Sequence, residues 1–62
     1  MPIITMEGPE LTKEQKAKLI AEFTNKASEI TEIPERAFSV LIKENPADNV
    51  GVAGKQLSEM KE

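Results

Sequence analysis

Apolar and polar positions change their rhythm three times along the chain. Residues 2–7, Pro2-Ile3-Ile4-Thr5-Met6-Glu7, form a short apolar, β-branched run closed by Gly8-Pro9, which reads as a strand. Proline is tolerated at its first position, where a missing ladder donor costs least. Then the period lengthens. Leu19, Ile20, Phe23, Ala27 and Ile30 recur at helical spacing, while Lys18, Glu22, Lys26 and Glu29 fall largely on other faces. Thr12-Lys13-Glu14-Gln15 matches a capping box, so the helix is expected to start there and run to about Thr31. Glu14 to Lys18 and Glu22 to Lys26 are spaced i, i+4 with the acid first. Each pair is expected to add about 0.2–0.5 kcal/mol on a solvated face.

Pro34 bars any helical continuation, and Phe38-Ser39-Val40-Leu41-Ile42-Lys43 reads as a second strand whose middle, Val40-Leu41-Ile42, is expected to be central and covered. Strand, helix and strand make a β-α-β unit of the α/β (α+β) class, with parallel strands and a right-handed crossover. Asn45-Pro46-Ala47-Asp48-Asn49 is a turn cluster. Val50-Gly51-Val52-Ala53-Gly54 predicts a short C-terminal hairpin or arm with Gly51 and Gly54 at its bends. After Lys55 the chain turns polar and is expected to fray. No repeat or linker divides it, so residues 1–62 are read as one domain.

One helix covers one face of such a sheet. Ile3, Ile4, Met6, Val40, Leu41 and Ile42 are more apolar side chains than that helix can shelter, and the bare face predicts an oligomer. Size points the same way, because 62 residues bury little surface alone. With no cysteine, neither disulfides nor a thiolate zinc site can supplement the core, and with no histidine a transition-metal site is disfavoured. Self-association is the remaining common remedy. No metal or cofactor is expected.

Charge narrows the partners. A formal net charge of −3, with Phe23 and Phe38 as the only aromatic residues, offers little to stack nucleobases or hold a polyanion, so nucleic acid is not an expected partner. No apolar run approaches the roughly 20 residues of a membrane-spanning helix, and no signal-peptide plan opens the chain. A cytoplasmic protein with no membrane partner is the expectation.

The chemistry left to such a chain is restricted. Histidine, cysteine and tyrosine are all absent, and with them most groups that move protons near neutral pH. Pro2 stands out. A small second residue invites removal of Met1, which would expose a secondary amine. An α-amino group titrates at roughly 7.7–8.0, and the more basic proline amine would need an apolar or cationic setting to bring it down. Arg36, the only arginine, either pairs with an anionic ligand or faces water. Lys43, on the Ser39 and Leu41 side of its strand, either orients a carboxylate or marks a rim, and Lys55 is open to the same two readings. Gly51 and Gly54 lack the third glycine of a dinucleotide fingerprint.

Together, Pro2-Ile3-Ile4, Thr12-Lys13-Glu14-Gln15-Lys16, Val40-Leu41-Ile42 and Asn49-Val50-Gly51-Val52-Ala53-Gly54-Lys55 resemble the 4-oxalocrotonate tautomerase family over nearly the whole chain. The resemblance implies a β-α-β subunit, a hairpin that reaches a neighbouring subunit, and a homohexamer built as a trimer of dimers. It also implies keto-enol tautomerisation of a small enol or oxo acid, with the Pro2 nitrogen as general base. Family members that act on dicarboxylates carry two arginines and an aromatic residue where this chain has Leu11, Ser39 and Val50. A diacid clamp in that form is therefore missing, since none of these side chains reproduces the guanidinium fork. Arg36 or Lys43 then becomes the candidate source of positive charge, and Leu11 and Val50 make the pocket more apolar. The competing reading is a non-catalytic oligomeric module that keeps the fold for assembly or binding.

Overall fold

The computed structural model describes residues 1–60, so the last two residues of the expected 1–62 domain lie outside the described residues. Its elements are β1 (Ile3–Gly8), α1 (Lys13–Thr31), β2 (Ser39–Glu44), β3 (Gly51–Val52) and β4 (Lys55–Gln56), with single 3-10 turns at Glu35–Ala37, Ala47–Asn49 and Leu57–Glu59. β1 and β2 pair in parallel, from Ile3 opposite Ser39 to Gly8 opposite Glu44. The β-α-β class is as expected.

The boundaries shift by one residue for physical reasons. Pro2 falls outside β1 because it has no N–H to give, yet its carbonyl accepts from the Ser39 amide at 3.0 Å. Gly8 is still strand, because its carbonyl accepts from Asn45 N at 2.8 Å, and Pro9 ends the run. Phe38 precedes β2, its amide spent on the Glu35 carbonyl at 3.1 Å.

Helix α1 begins with the expected capping box. The Gln15 amide donates to Thr12 Oγ1 at 3.1 Å and the Thr12 amide to Gln15 Oε1 at 2.9 Å. At the other end the stop comes before Pro34: Glu32 takes a left-handed conformation (φ 64°) and its amide closes on the Ser28 carbonyl. Leu19, Phe23 and Ala27 lie half-buried, whereas Ile20 and Ile30 stay exposed.

The sheet alternates with period two. Ile4, Met6, Val40 and Ile42 are the half-buried set, and Ile3, Thr5, Glu7, Ser39, Leu41 and Lys43 point the other way and are exposed. Val40-Leu41-Ile42 is therefore not covered throughout: Leu41 stays 50 % exposed because α1 shields only one face. No described residue is fully buried within the single chain.

Neither expected helical ion pair forms among the described residues. Lys26 pairs instead with Glu29 (3.1 Å), and Lys16 with Glu44 (2.9 Å). An exposed pair worth a few tenths of a kcal/mol does not fix a lysine rotamer. In the hairpin, β3 and β4 are antiparallel, and the bend belongs to Ala53 (φ 55°) and Gly54 (φ 83°) rather than to Gly51, which lies in β3. Positive φ at both central residues is what a type I′ turn demands. Beyond Lys55 the chain does not fray up to Met60: Leu57 folds back, its amide donating to the Val50 carbonyl at 2.7 Å.

Candidate active site

The parallel register sorts the six candidate residues by the end of the sheet they occupy. Pro2 sits at the N-terminal end of β1, half-buried, with its carbonyl held by Ser39. Met1 precedes it with 90 % of its surface exposed. The pyrrolidine ring fixes φ, and the hydrogen bond fixes the peptide plane that follows, so the nitrogen has little orientational freedom.

Two further candidates share this end. Ser39 opposes Ile3 and is exposed on the bare face. Arg36 lies three residues earlier in the Glu35–Ala37 turn, which is held by Ala37 N to the Pro34 carbonyl (3.0 Å), by Phe38 N to the Glu35 carbonyl, and by Asn25 Nδ2 of α1 to Glu35 Oε2 (3.2 Å). The Arg36 side chain is exposed and makes no ion pair among the described residues. The turn thus carries a guanidinium with no ion pair among the described residues, three positions before the Ser39 amide that is bonded to Pro2.

The other three lie away from it. Lys43 is on the bare face toward the far end, opposite Glu7. Leu11 follows the Gly8-Pro9 stop, half-buried beside a groove of about 430 Å³ lined also by Met6, Gln15, Lys18, Leu19 and Glu22. Val50 lines a cleft of about 530 Å³ with Gly8, Pro9, Asn45 and Leu57, edged by Glu7 and Glu10. Neither depression contains Pro2. Five steps of β1 separate Ile3 from Gly8, a distance of roughly 17 Å at about 3.3 Å per residue. One chain brings Pro2, Arg36 and Ser39 to one end and leaves Leu11 and Val50 at the other.

The far end holds an arrangement the sequence reading did not single out. Glu44 Oε2 accepts from the Leu11 amide at 2.9 Å and from Lys16 Nζ at 2.9 Å. The Leu11 N–H, then the hydrogen bond from the Lys16 ammonium, hold the Glu44 carboxyl below the ordinary glutamate value; desolvation opposes them, and the Lys16 charge adds a smaller pull in the lowering direction. The available signal was slight: Leu11 precedes the helix cap, so its amide has no partner within the helix, and Glu44 is the acid at the end of the strand beside it.

Comparisons with known proteins agree with this architecture. The Tautomerase enzyme family matches residues 2–60. The 2-hydroxymuconate tautomerase of Bacillus subtilis (strain 168) is 39 % identical over 61 residues, 97 % of this chain and 98 % of that protein. The crystal structure of YwhB, a homologue of 4-oxalocrotonate tautomerase, superposes with a TM-score of 0.89 at 38 % identity, covering 97 % of this chain and 100 % of that one. DmpI from Archaeoglobus fulgidus gives a TM-score of 0.85 at 36 % identity over 94 % of this chain and 100 % of its own.

Proposed function

This chain belongs to the tautomerase family, and from that premise we propose that it ketonises a small enol or oxo acid of the 2-hydroxymuconate kind, with the Pro2 nitrogen as general base once Met1 is removed. The carrying observation is Pro2 itself, half-buried at the mouth of β1 with its carbonyl on the Ser39 amide at 3.0 Å. Met1, exposed and outside the strand, leaves without disturbing the packing. Only then is the nitrogen basic, since a prolyl amide has no proton affinity to use.

The step balances with no co-reactant. Pro2 nitrogen takes the enol O–H proton, the released electron pair forms the carbonyl, and the nitrogen returns the proton to a carbon along the conjugated system. Negative charge spreads onto oxygen during the transfer, and fixed donors there lower the barrier. Arg36 and the Ser39 hydroxyl are the donors this chain places at the proline end, and Lys43 is a further cation on the same face as Ser39. Leu11 and Val50, brought from another subunit, supply an apolar wall, and desolvation by that wall disfavours protonated Pro2.

Assembly belongs to the same proposal. The isolated chain exposes 5123 Å² and has a radius of gyration of 14.9 Å. A compact monomer of this mass would expose about 4,000 Å² and measure about 11 Å. Ile3 at 62 % and Leu41 at 50 % exposure mark the sheet face that association would cover. We assign the chain, as one unit over 1–62, to a homohexamer arranged as a trimer of dimers. Among the described residues no helix is long and apolar enough to cross a membrane.

The test is ketonisation of 2-hydroxymuconate, followed by loss of enol absorbance, alongside an intact mass. The expected mass begins at Pro2, and Pro2→Ala is expected to lose about 10²–10⁴ in kcat/KM, the usual worth of a positioned general base. Unchanged turnover in that variant, or Met1 retained in active protein, removes Pro2 from the mechanism.

A further inference from the structure

We propose that Glu44 is a positioning residue: its carboxylate, clasping the Leu11 amide and the Lys16 ammonium, sets where the segment after β1 presents Leu11 as a substrate wall. The proposal rests on the reading of Leu11 as a pocket residue given above. Its structural half stands on geometry alone.

Leu11 lies between two segments that need no outside help. Gly8 belongs to the sheet ladder, and Thr12 is fixed by α1, its amide on Gln15 Oε1, its hydroxyl accepting from Gln15 N, and its carbonyl accepting from Lys16 N at 3.0 Å. Leu11 has no such local partner. Its amide reaches 33 positions along the sequence to Glu44 Oε2. The same oxygen holds Lys16 Nζ in the first turn of the helix. One carboxylate thus joins the end of β2, the loop after β1 and the start of α1.

The pair is also unlike an ordinary surface contact. The Lys16 and Glu44 side chains are 33 % and 30 % exposed, against 67 % and 66 % for Lys26 and Glu29. Partial shielding and a shared backbone donor make the first a charge-assisted network rather than a screened pair. Releasing it frees the Leu11 backbone and moves the side chain relative to Met6, Gln15 and Leu19, which share its groove. Substrate binding suffers, whereas proton transfer, measured at a pH high enough to keep Pro2 unprotonated with or without the Leu11 wall, does not, because Pro2 keeps its own anchor on the Ser39 amide.

The experiment combines steady-state ketonisation of 2-hydroxymuconate with amide hydrogen exchange at Leu11, in Glu44→Ala, Glu44→Gln and Lys16→Met. Glu44→Ala is expected to raise KM by about tenfold, as expected for one lost hydrogen bond to a charged group, with kcat within about twofold. Glu44→Gln keeps an acceptor and loses the charge, so its KM is expected to rise by only about threefold, as is that of Lys16→Met. Leu11 exchange is expected to speed in the same order. A KM for Glu44→Ala within about twofold of the parent, or Leu11 exchange unchanged in it, overturns the proposal. So does a fall in kcat at constant KM. Pro2→Ala run in parallel separates the two claims: if it keeps full turnover the base assignment fails, while Leu11 exchange still decides the clasp.

Discussion

The two ends of the parallel sheet are built differently. At the Pro2 end the Ser39 amide closes the ladder on the Pro2 carbonyl, and Arg36 stands on its turn without an ion-pair partner among the described residues. At the Gly8 end the chain is laced to itself: Asn45 N on the Gly8 carbonyl, Asn45 Nδ2 on Glu7 Oε1 at 3.3 Å, and Glu44 on both Leu11 and Lys16. The contrast separates two tasks. On the proposed function, the end that admits a substrate leaves the Arg36 guanidinium without an ion pair among the described residues, and the end that holds a pocket wall spends its Glu44 carboxylate and Lys16 ammonium internally.

Substitution at each end tests that division. The largest effect is the loss of about 10²–10⁴ in kcat/KM for Pro2→Ala, without a comparable change in stability. Next comes the face between the ends. Leu41→Glu places a charge where Leu41 is half-exposed in the chain, on the face that the proposed assembly covers. Losing about 2 kcal/mol of leucine burial, counted on both sides of a twofold contact, is expected to raise the dissociation constant by about a thousandfold, read by sedimentation. Assembly unchanged in that variant would show that this face is not the one covered.

Smaller effects belong to the Gly8 end. The Glu44 variants come third, with their rise in KM at nearly constant kcat. Thr12→Ala removes the helix cap and is expected to cost about 1 kcal/mol in chemical denaturation while leaving kcat alone. A loss of kcat there would mean the two ends are coupled. Acid gives the mildest probe. Because the folded Glu44 carboxyl lies below its unfolded value, its contribution is full above the unfolded pKa and is lost as pH falls through the folded one. The stability difference between the parent and Glu44→Gln is therefore expected to shrink as pH falls from about 5, the region of ordinary glutamate titration, toward 3.

Much of this molecule was legible before it was folded. The helix could be read from Thr12 to Thr31 because its signals are local: a cap acting over three residues, apolar positions three and four apart, and a stop within a turn. Both strands were found to within one residue, and the shifts came from where single amides at Phe38 and Asn45 were spent. Leu41 was misjudged because an apolar run does not say that only one of its faces will be covered. The bend at Ala53 was assigned to Gly51 because glycine is the commoner sign of positive φ, though alanine adopts it here.

The sequence by itself determined that a tautomerase-family β-α-β unit would form and that one sheet face would stay bare, and it singled out Pro2 as the candidate base. Only the tertiary structure decided which candidates share an end of the sheet. Arg36 and Ser39 stand with Pro2, whereas Leu11 and Val50 lie by the Gly8 end, so a site using all of them needs more than one subunit. It also created the Glu44 clasp, whose partners lie 33 and 28 positions away along the chain. Periodicity and caps act over three or four residues; contacts at such separations exist only once α1 has packed across the sheet and fixed the parallel register.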